Sequence, residues 1–358
     1  MGRYAYLIKV SPDANNNKYY EMVEESGDIQ VRYGRVNATE TRRSYPSYQW
    51  EKVYRTRIEH GYTDKTELKA TAAQGVFTNP FTGYVATTFE RLVEAAQATI
   101  ERNYEAGIKV TAAMLNSAQN LIDKLLAADN VGYANELLVD LYMTIPRKMR
   151  NVRDHIAKDI AHLHQIVGEE QNLLDTMSAS VQTVSATQSA TYPFVLAEAT
   201  EADQRKLYSL YTGSLGRLIK VTRSNEPDLP ADSRLLWHGS GESNWYHIIK
   251  EGLRIRPATA YLTGAAFGNG IYFADYYQKS KNYCRGGRWI AICEVYLGNM
   301  LKYAWGDSEV GEMTWEKLRR KGDYHSVMGD AAQGRLLHNE YIVYRIEQQR
   351  IKYLMEVV

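Results

Sequence analysis

The residues able to do chemistry gather in four short segments: RLLWHGS (234–240), GNGIYFADYYQKSKNYC (268–284), EVYLGNM (294–300) and LHNEYIVYRIEQQRIKYL (337–354). Taken singly, their polar residues have ordinary structural readings. His238 closes an apolar strand pattern, Tyr272 sits in a core-like IYFAD run, and Glu340 is a charge beside an apolar run. The stretch GAAFGNG (264–270) looks like a phosphate loop, but it leads into a strand where the dinucleotide-binding fingerprint must open a helix, so that reading is rejected. Cys284 and Cys293 are the only cysteines and lack CxxC spacing, which argues against a structural zinc or a disulfide framework and leaves both as buried apolar groups. His155, His162 and His164 have no partners at metal-ligand spacing, so no metal is expected. One segment is built for a polyanion: Arg32, Arg35, Arg42, Arg43, Lys52, Arg55 and Arg57 lie within a stretch whose only acidic residues are Glu40 and Glu51.

Three kinds of element must position these residues. From Arg3 to about Lys69 the runs YAYLIKV, KYYEMVEE and IQVRYGRV read as strands separated by turn formers, followed by a helix over SYQWEKVYRTRIEHG that Gly61 stops. Residues 80–190 read as helices. One face carries Phe89, Leu92, Val93, Ala96, Ile100 and Tyr104; later stretches carry Met114 to Leu125, Leu137 to Tyr142 before Pro146, Ile156 to Val167, and Leu173 to Val181. The Ser/Thr-rich SASVQTVSATQSATY (178–192) has no apolar period and is the best linker candidate. Beyond Tyr192 short strands return, among them RLLWHG, GIYFAD, RWIAICEVYLG and NEYIVYRI, broken by glycines and short helices. No internal repeat is evident.

Length and composition agree with this organisation. A chain of 358 residues suggests two or three domains, and 44% apolar with 24% charged residues fits a soluble globular protein. The net charge of +1 conceals the basic segment and an acidic lean over 81–190. The sequence has no apolar run of about 18 residues or signal-peptide core, so no membrane is involved and an intracellular location is expected.

In combination and in order, the four segments closely resemble the catalytic domain of DNA-dependent poly(ADP-ribose) polymerases. VRYGRV with the following GYTD resembles that family's WGR domain, and the helices with LLVDLYMTIPRKM resemble its regulatory helical domain. The resemblance implies an α+β multidomain chain: a small WGR-like DNA-binding module over 1–78, an all-helical regulatory bundle over 79–184 and a β-rich ADP-ribosyltransferase domain over 192–358. It also implies NAD as a substrate, cleaved between nicotinamide and ribose, with no metal. That cleavage develops positive charge on the sugar, so the site must fix the carboxamide, hold the riboses and place negative charge near the cation. By resemblance Gly239 and Ser280 bind the carboxamide, and Tyr272 and Tyr283 sandwich the nicotinamide ring. His238 holds the adenosine ribose, and Ser240, Asn244 and Arg254 lie along the adenosine diphosphate. Glu340 binds the nicotinamide ribose and orients or deprotonates an acceptor hydroxyl. His238, Tyr272 and Glu340 thus form the expected catalytic core.

The WGR resemblance implies DNA strand breaks as partner. The family's Trp is Tyr33 here, while Gly34 and Arg35 are kept, and Arg42, Arg43, Arg55 and Arg57 are placed to neutralise phosphates. In the regulatory helix only Asp175 matches the family's acidic residues. Gln171 and Gly168 stand in its companions' places, which points to weaker autoinhibition than the family's. The expected function is DNA-break-activated ADP-ribosylation of acceptor proteins, the chain itself included, with polymer formation permitted by Glu340. The competing readings are a constitutive mono-ADP-ribosyltransferase and a DNA-end-binding scaffold with little catalysis. The location would be nuclear in a eukaryote, cytoplasmic or nucleoid in a bacterium or virus. Oligomeric state is not legible.

Overall fold

A computed structural model describes residues 2–69, 79–104, 110–185, 192–208, 210–211, 216–255, 266–306 and 310–357. The chain packs as two units, one of residues 1–75 and 98–185, the other of 76–97 and 186–358.

The first unit begins with strands β1 (Tyr4–Ser11), β2 (Asn16–Glu25), β3 (Asp28–Arg35) and β4 (Thr41–Pro46), helix α1 (Trp50–Glu59) and the short strand β5 (Thr63–Asp64). They form an antiparallel sheet in the order β4-β3-β2-β1-β5. Ser26 and Gly27 turn β2 into β3 with φ of 53° and 89°, a left-handed pair that brings the strands back in register. Alternation along β1 gives the sheet two apolar faces. Ala5 and Leu7, with Tyr20, Met22, Ile29 and Val31, pack under Trp50 and Val53 of α1. Tyr6, Ile8 and Val10, with Tyr19, Val36 and Leu68, pack into the helices of the same unit.

Those helices follow α2 (Gly83–Asn103), whose first part belongs to the second unit. They are α3 (Ala112–Leu126), α4 (Val131–Thr144) and α5 (Ile160–Ser185). Thr111 and Asn130 cap α3 and α4 by accepting from the amides of Met114 and Tyr133. Met114, Ala118, Ile122, Leu138, Leu141, Val167 and Leu174 bury the facing stripes, as helical spacing predicts. The sheet and the helices share this core. Two expectations need correction. Ile156 lies just past a short 3-10 turn (Val152–His155), outside any α-helix. Residues 178–185 of the linker candidate belong to α5, so the helix read through Val181 runs on to Ser185, because an established helix propagates through small polar residues that would not nucleate one. Residues 186–191 lie outside the described residues.

The second unit contains β6 (Phe194–Glu198), α6 (Glu201–Leu207), β7 (Leu218–Arg223), β8 (Arg234–Gly239), α7 (Trp245–Glu251), β9 (Ile271–Phe273), α8 (Tyr277–Asn282), β10 (Trp289–Val295), β11 (Met300–Tyr303), α9 (Trp315–Lys321), β12 (Ser326–Gly329), β13 (Glu340–Val343) and β14 (Gln349–Glu356). One sheet runs β6-β7-β14-β10-β8 and is antiparallel; the other runs β11-β12-β13-β9, with only β11 and β12 parallel. A two-residue bridge between Trp237 and Ala274 joins them, each amide donating to the other's carbonyl at 2.8 and 3.0 Å. Trp237, Ile290 and Ile292 fill the core beside the first sheet, and Phe267, Val310, Leu318, Val327 and Ile342 fill that beside the second. Phe89 of α2 packs here too, its ring 5.1 Å from that of Phe81 and 5.9 Å from those of Phe194 and Tyr246.

The architecture is mixed α and β with largely antiparallel sheets, in line with the α+β expectation. Among the described residues no helix is long and apolar enough to cross a membrane, and no group of three or more His, Cys, Asp or Glu side chains could hold a metal.

Candidate functional site

The site is built where the two sheets of the second unit meet. β8 delivers His238 and Gly239 at its last two positions, paired with Ala291 and Ile290 of β10. β9 delivers Tyr272, paired with Ile342 of β13. The bridge between Trp237 and Ala274 holds those strand ends together, so His238 Nδ1 lies 2.9 Å from the Tyr272 carbonyl. A carbonyl only accepts, which makes Nδ1 the protonated nitrogen and leaves Nε2 with a lone pair for a hydroxyl donor. Burial lowers the His238 pKa below its ordinary value, so the ring is neutral at pH 7.

Tyr272 is fixed at its hydroxyl, which accepts from the Phe267 amide at 2.9 Å and donates to the Gly268 carbonyl at 2.8 Å. Its edge is committed, so a flat ligand can meet only its face. Gly268 adopts φ of 81°, and a Cβ there would lie 2.4 Å from the Met313 amide nitrogen; this position requires glycine.

Helix α8 supplies the opposite wall. A Cβ on Gly239 would sit 1.9 Å from the Ser280 carbonyl oxygen and 3.1 Å from Tyr283 Cβ. β8 therefore approaches α8 backbone to backbone, which only glycine permits. Buried Ser280 donates its hydroxyl to the Trp237 carbonyl at 3.1 Å and keeps lone pairs free to accept. Tyr283 is 42% exposed, leaving ring surface open for stacking.

Glu340 opens β13 opposite Gly329 and is 9% exposed. It lies near enough to Tyr272 and Tyr283 that its charge, after burial, opposes ionisation of both phenols. Its Oε1 pairs with Lys279 Nζ from α8. The residues just before and after it, Asn339 and Tyr341, both donate to Asp275 Oδ2 at 2.9 Å. Lys279 and Asp275 carry no comparable signal in the sequence. Lys279 stands immediately before Ser280 in QKSKNYC, but a lysine in a short helix reads as a solvated charge; Asp275 reads as the turn former of IYFAD.

His238, Gly239, Tyr272, Ser280, Tyr283 and Glu340 are thus brought together. Ser240 follows at the end of β8, and its Oγ accepts from Asn244 Nδ2 at 3.1 Å. Arg254 forms an ion pair with Glu251 beyond α7. Part of GAAFGNG, residues 264 and 265, lies outside the described residues.

The basic residues of the first unit divide. Pairing of β3 with β4 sets Arg43 opposite Val31 and Arg42 opposite Arg32, so strand alternation sends Arg42 and Arg43 to opposite faces. Arg42 pairs with Glu40 at 2.7 Å. Arg43 lies 5.8 Å from the centre of the Tyr33 ring, and Arg57 lies 4.2 Å from that of Tyr20, whose ring is 5.3 Å from Tyr33. Burial pushes Tyr20 up to about 12. Arg55 is exposed on α1. Arg35 turns inward, donating to the carbonyls of Asn15, Met149 and Arg150 at 2.7, 3.0 and 2.8 Å. In α5, buried Asp175 accepts from Gln171 at 2.9 Å, and Gln171 reaches Gln119 of α3 at the same distance.

The family model for the poly(ADP-ribose) polymerase catalytic domain matches residues 177–358. The chain is similar to poly [ADP-ribose] polymerase 2 of Zea mays, 36% identical over 185 residues that cover 42% of this chain and 28% of that protein. It is 32% identical over 187 residues to an uncharacterised protein of Invertebrate iridescent virus 6, covering 51% of this chain and 79% of the viral one. It is 25% identical over 417 residues to poly [ADP-ribose] polymerase 1 of Danio rerio, covering 95% of this chain and 40% of the fish protein. The chain therefore spans less than half the length of either named polymerase.

Proposed function

This chain belongs to the poly(ADP-ribose) polymerase catalytic family, and from that premise we propose that it transfers ADP-ribose from NAD to acceptor proteins, itself included. The observation that carries the reading is the position of Glu340: a largely buried carboxylate at the head of β13, paired with Lys279 of the helix that carries Ser280, in the unit where Gly239 and Ser280 offer backbone and hydroxyl contacts. Nicotinamide takes the seat between Tyr272 and Tyr283 with its carboxamide on Gly239 and Ser280. His238 Nε2 accepts from a hydroxyl of the adenosine ribose, and Ser240, Asn244 and Arg254 lie along the diphosphate. Glu340 accepts from the nicotinamide ribose and stabilises the cation as the glycosidic bond lengthens. The bonding pair leaves with nicotinamide, an acceptor oxygen bonds the anomeric carbon, and its proton passes to Glu340 or solvent.

Activation by DNA breaks belongs to the same proposal. Its support is the Tyr20, Tyr33, Arg43 and Arg57 cluster and the length of the zebrafish alignment, which runs into the first unit. Tyr33 stacks on a nucleotide and Arg42, Arg43, Arg55 and Arg57 neutralise phosphates from two faces. Arg35 carries the binding event to the 147–153 loop. Incubating the chain with NAD, with and without blunt or nicked duplex, and sizing the product tests both parts. Self-labelling that DNA stimulates bears out the reading. Equal labelling without DNA removes the switch and keeps the enzyme. Discrete single additions indicate mono-transfer, and no turnover under any condition removes the enzyme.

A further inference from the structure

At Glu340 the backbone pairing of β13 changes. On one side Glu340 pairs with Gly329 of β12. On the other, pairing with β9 ends at Tyr341 opposite Phe273. The next residue of that strand, Ala274, has left for β8, where it bridges Trp237. The acid on which the chemistry depends thus lies one residue beyond the last rung of its ladder, and backbone hydrogen bonds to β9 do not hold it.

Asp275 takes over that task. Its Oδ2 accepts from Asn339 Nδ2 and from the Tyr341 hydroxyl, both at 2.9 Å. These residues flank Glu340, and neighbours at i−1 and i+1 point to the face opposite residue i on an extended chain. A single carboxylate oxygen therefore grips the back of the segment whose front carries Glu340. The Asn339 amide is oriented without ambiguity, because its Oδ1 accepts from the Ala331 amide at 3.0 Å and only Nδ2 can face Asp275. The Tyr341 ring is braced by the Arg234 guanidinium, 5.0 Å from its centre. Asp275 also sits two residues before α8, which carries Lys279 and Ser280 and ends at its C-cap Tyr283. It ties the helix that seats the ligand to the strand that supplies the acid.

We propose that Asp275 is a positioning residue that holds the Glu340 carboxylate in register with α8 by clamping Asn339 and Tyr341. The proposal rests on the ADP-ribosyltransferase reading above, and it assigns to Asp275 an effect on kcat exerted through Glu340.

The test is a double-mutant cycle read by nicotinamide release from NAD. Asp275→Ala lowers kcat on the order of 100-fold, the loss expected from misplacing a reacting group by about 1 Å. The KM for NAD changes little, since the seat made by Gly239, Ser280 and Tyr283 remains. In the Glu340→Gln background the same change alters residual release by less than about twofold, because residues acting as one unit are not additive. Asp275→Asn retains one oxygen able to accept both bonds and recovers most of the kcat. Tyr341→Phe, which keeps the ring over Arg234, provides a milder probe should Asp275→Ala not fold; its smaller kcat loss also vanishes in the Glu340→Gln background. Equal losses in both backgrounds, an effect confined to KM, or an unchanged kcat in Tyr341→Phe overturns the clamp while leaving the enzyme intact. A wild-type chain that releases no nicotinamide overturns the enzymatic reading, and the clamp with it.

Discussion

Lys279 Nζ is paired with Glu340 Oε1, joining helix α8 to the first residue of β13. Both side chains are largely withdrawn from water, at 16% and 12% exposure, so each holds the other's charge in a partly desolvated wall. In the proposed mechanism the lysine keeps the acid aimed across the site until a sugar hydroxyl competes for it. Replacing Lys279 with Met should lower kcat by about 10-fold to 100-fold, within the range for one misplaced or unbalanced electrostatic partner. NAD affinity should change far less, and steady-state kinetics separates the two.

Gly239→Ala should be severe. The added Cβ falls 1.9 Å from the Ser280 carbonyl oxygen, so β8 or α8 must move, and overpacking of this kind costs about 1–3 kcal/mol. The movement displaces the proposed carboxamide seat directly. We expect a lower melting temperature together with a raised KM for NAD; an alanine variant with wild-type KM would place the carboxamide elsewhere.

Much of this site was legible in the sequence. His238, Gly239, Tyr272, Ser280, Tyr283 and Glu340 fall within runs whose order along the chain is distinctive, and glycine at 239 is a steric requirement that leaves a mark in sequence. Lys279 and Asp275 were not legible, because their importance lies in partners 61 and 64 residues away and neither belongs to a periodic pattern. In the first unit, RYGR and the helical stripes were readable. The division of Arg42 from Arg43 required the register of β3 on β4, and the inward turn of Arg35 required the loop that follows α4. The run of α5 past Val181 to Ser185 was hidden for another reason: those residues carry no apolar period, and helix already formed decides their state.

On the proposed role of His238, the pH response of activity follows from its ring. Burial lowers its pKa below 6.5, so the neutral ring with its Nε2 acceptor persists through neutral pH and is lost only as pH falls through the depressed folded value. KM for NAD should therefore be flat from pH 8 to 6.5 and rise in more acidic buffer, with kcat less affected. His238→Gln should raise KM and abolish that acidic rise.

Acid should also weaken the second unit itself. The Tyr353 hydroxyl, at 2.7 Å, and then Thr200 hold the Asp203 carboxyl well below its ordinary range against the opposing effect of burial. A depressed folded pKa contributes stability that is present above the unfolded value near 3.8 and lost as pH falls through the folded one. Asp203→Asn should lower the melting temperature at pH 7 and flatten its fall in acid, which calorimetry carried well below pH 3.8 checks.

In the first unit Arg147 pairs with Glu170 at 3.1 Å, both buried, with Asn103 also accepting from the guanidinium. Arg147→Ala strands a buried carboxylate and should cost about 3–5 kcal/mol, seen as an earlier denaturant midpoint for this unit. Arg147→Met with Glu170→Leu should recover much of that loss.

The most direct test of the central claim is nicotinamide release from NAD by the wild-type chain and by Glu340→Gln, measured side by side with blunt or nicked DNA present. Release and self-labelling are expected of the wild type, and a loss on the order of 100-fold or more of the variant, with KM for NAD little changed. Release that is equal in the two proteins, or absent from the wild type, would contradict it.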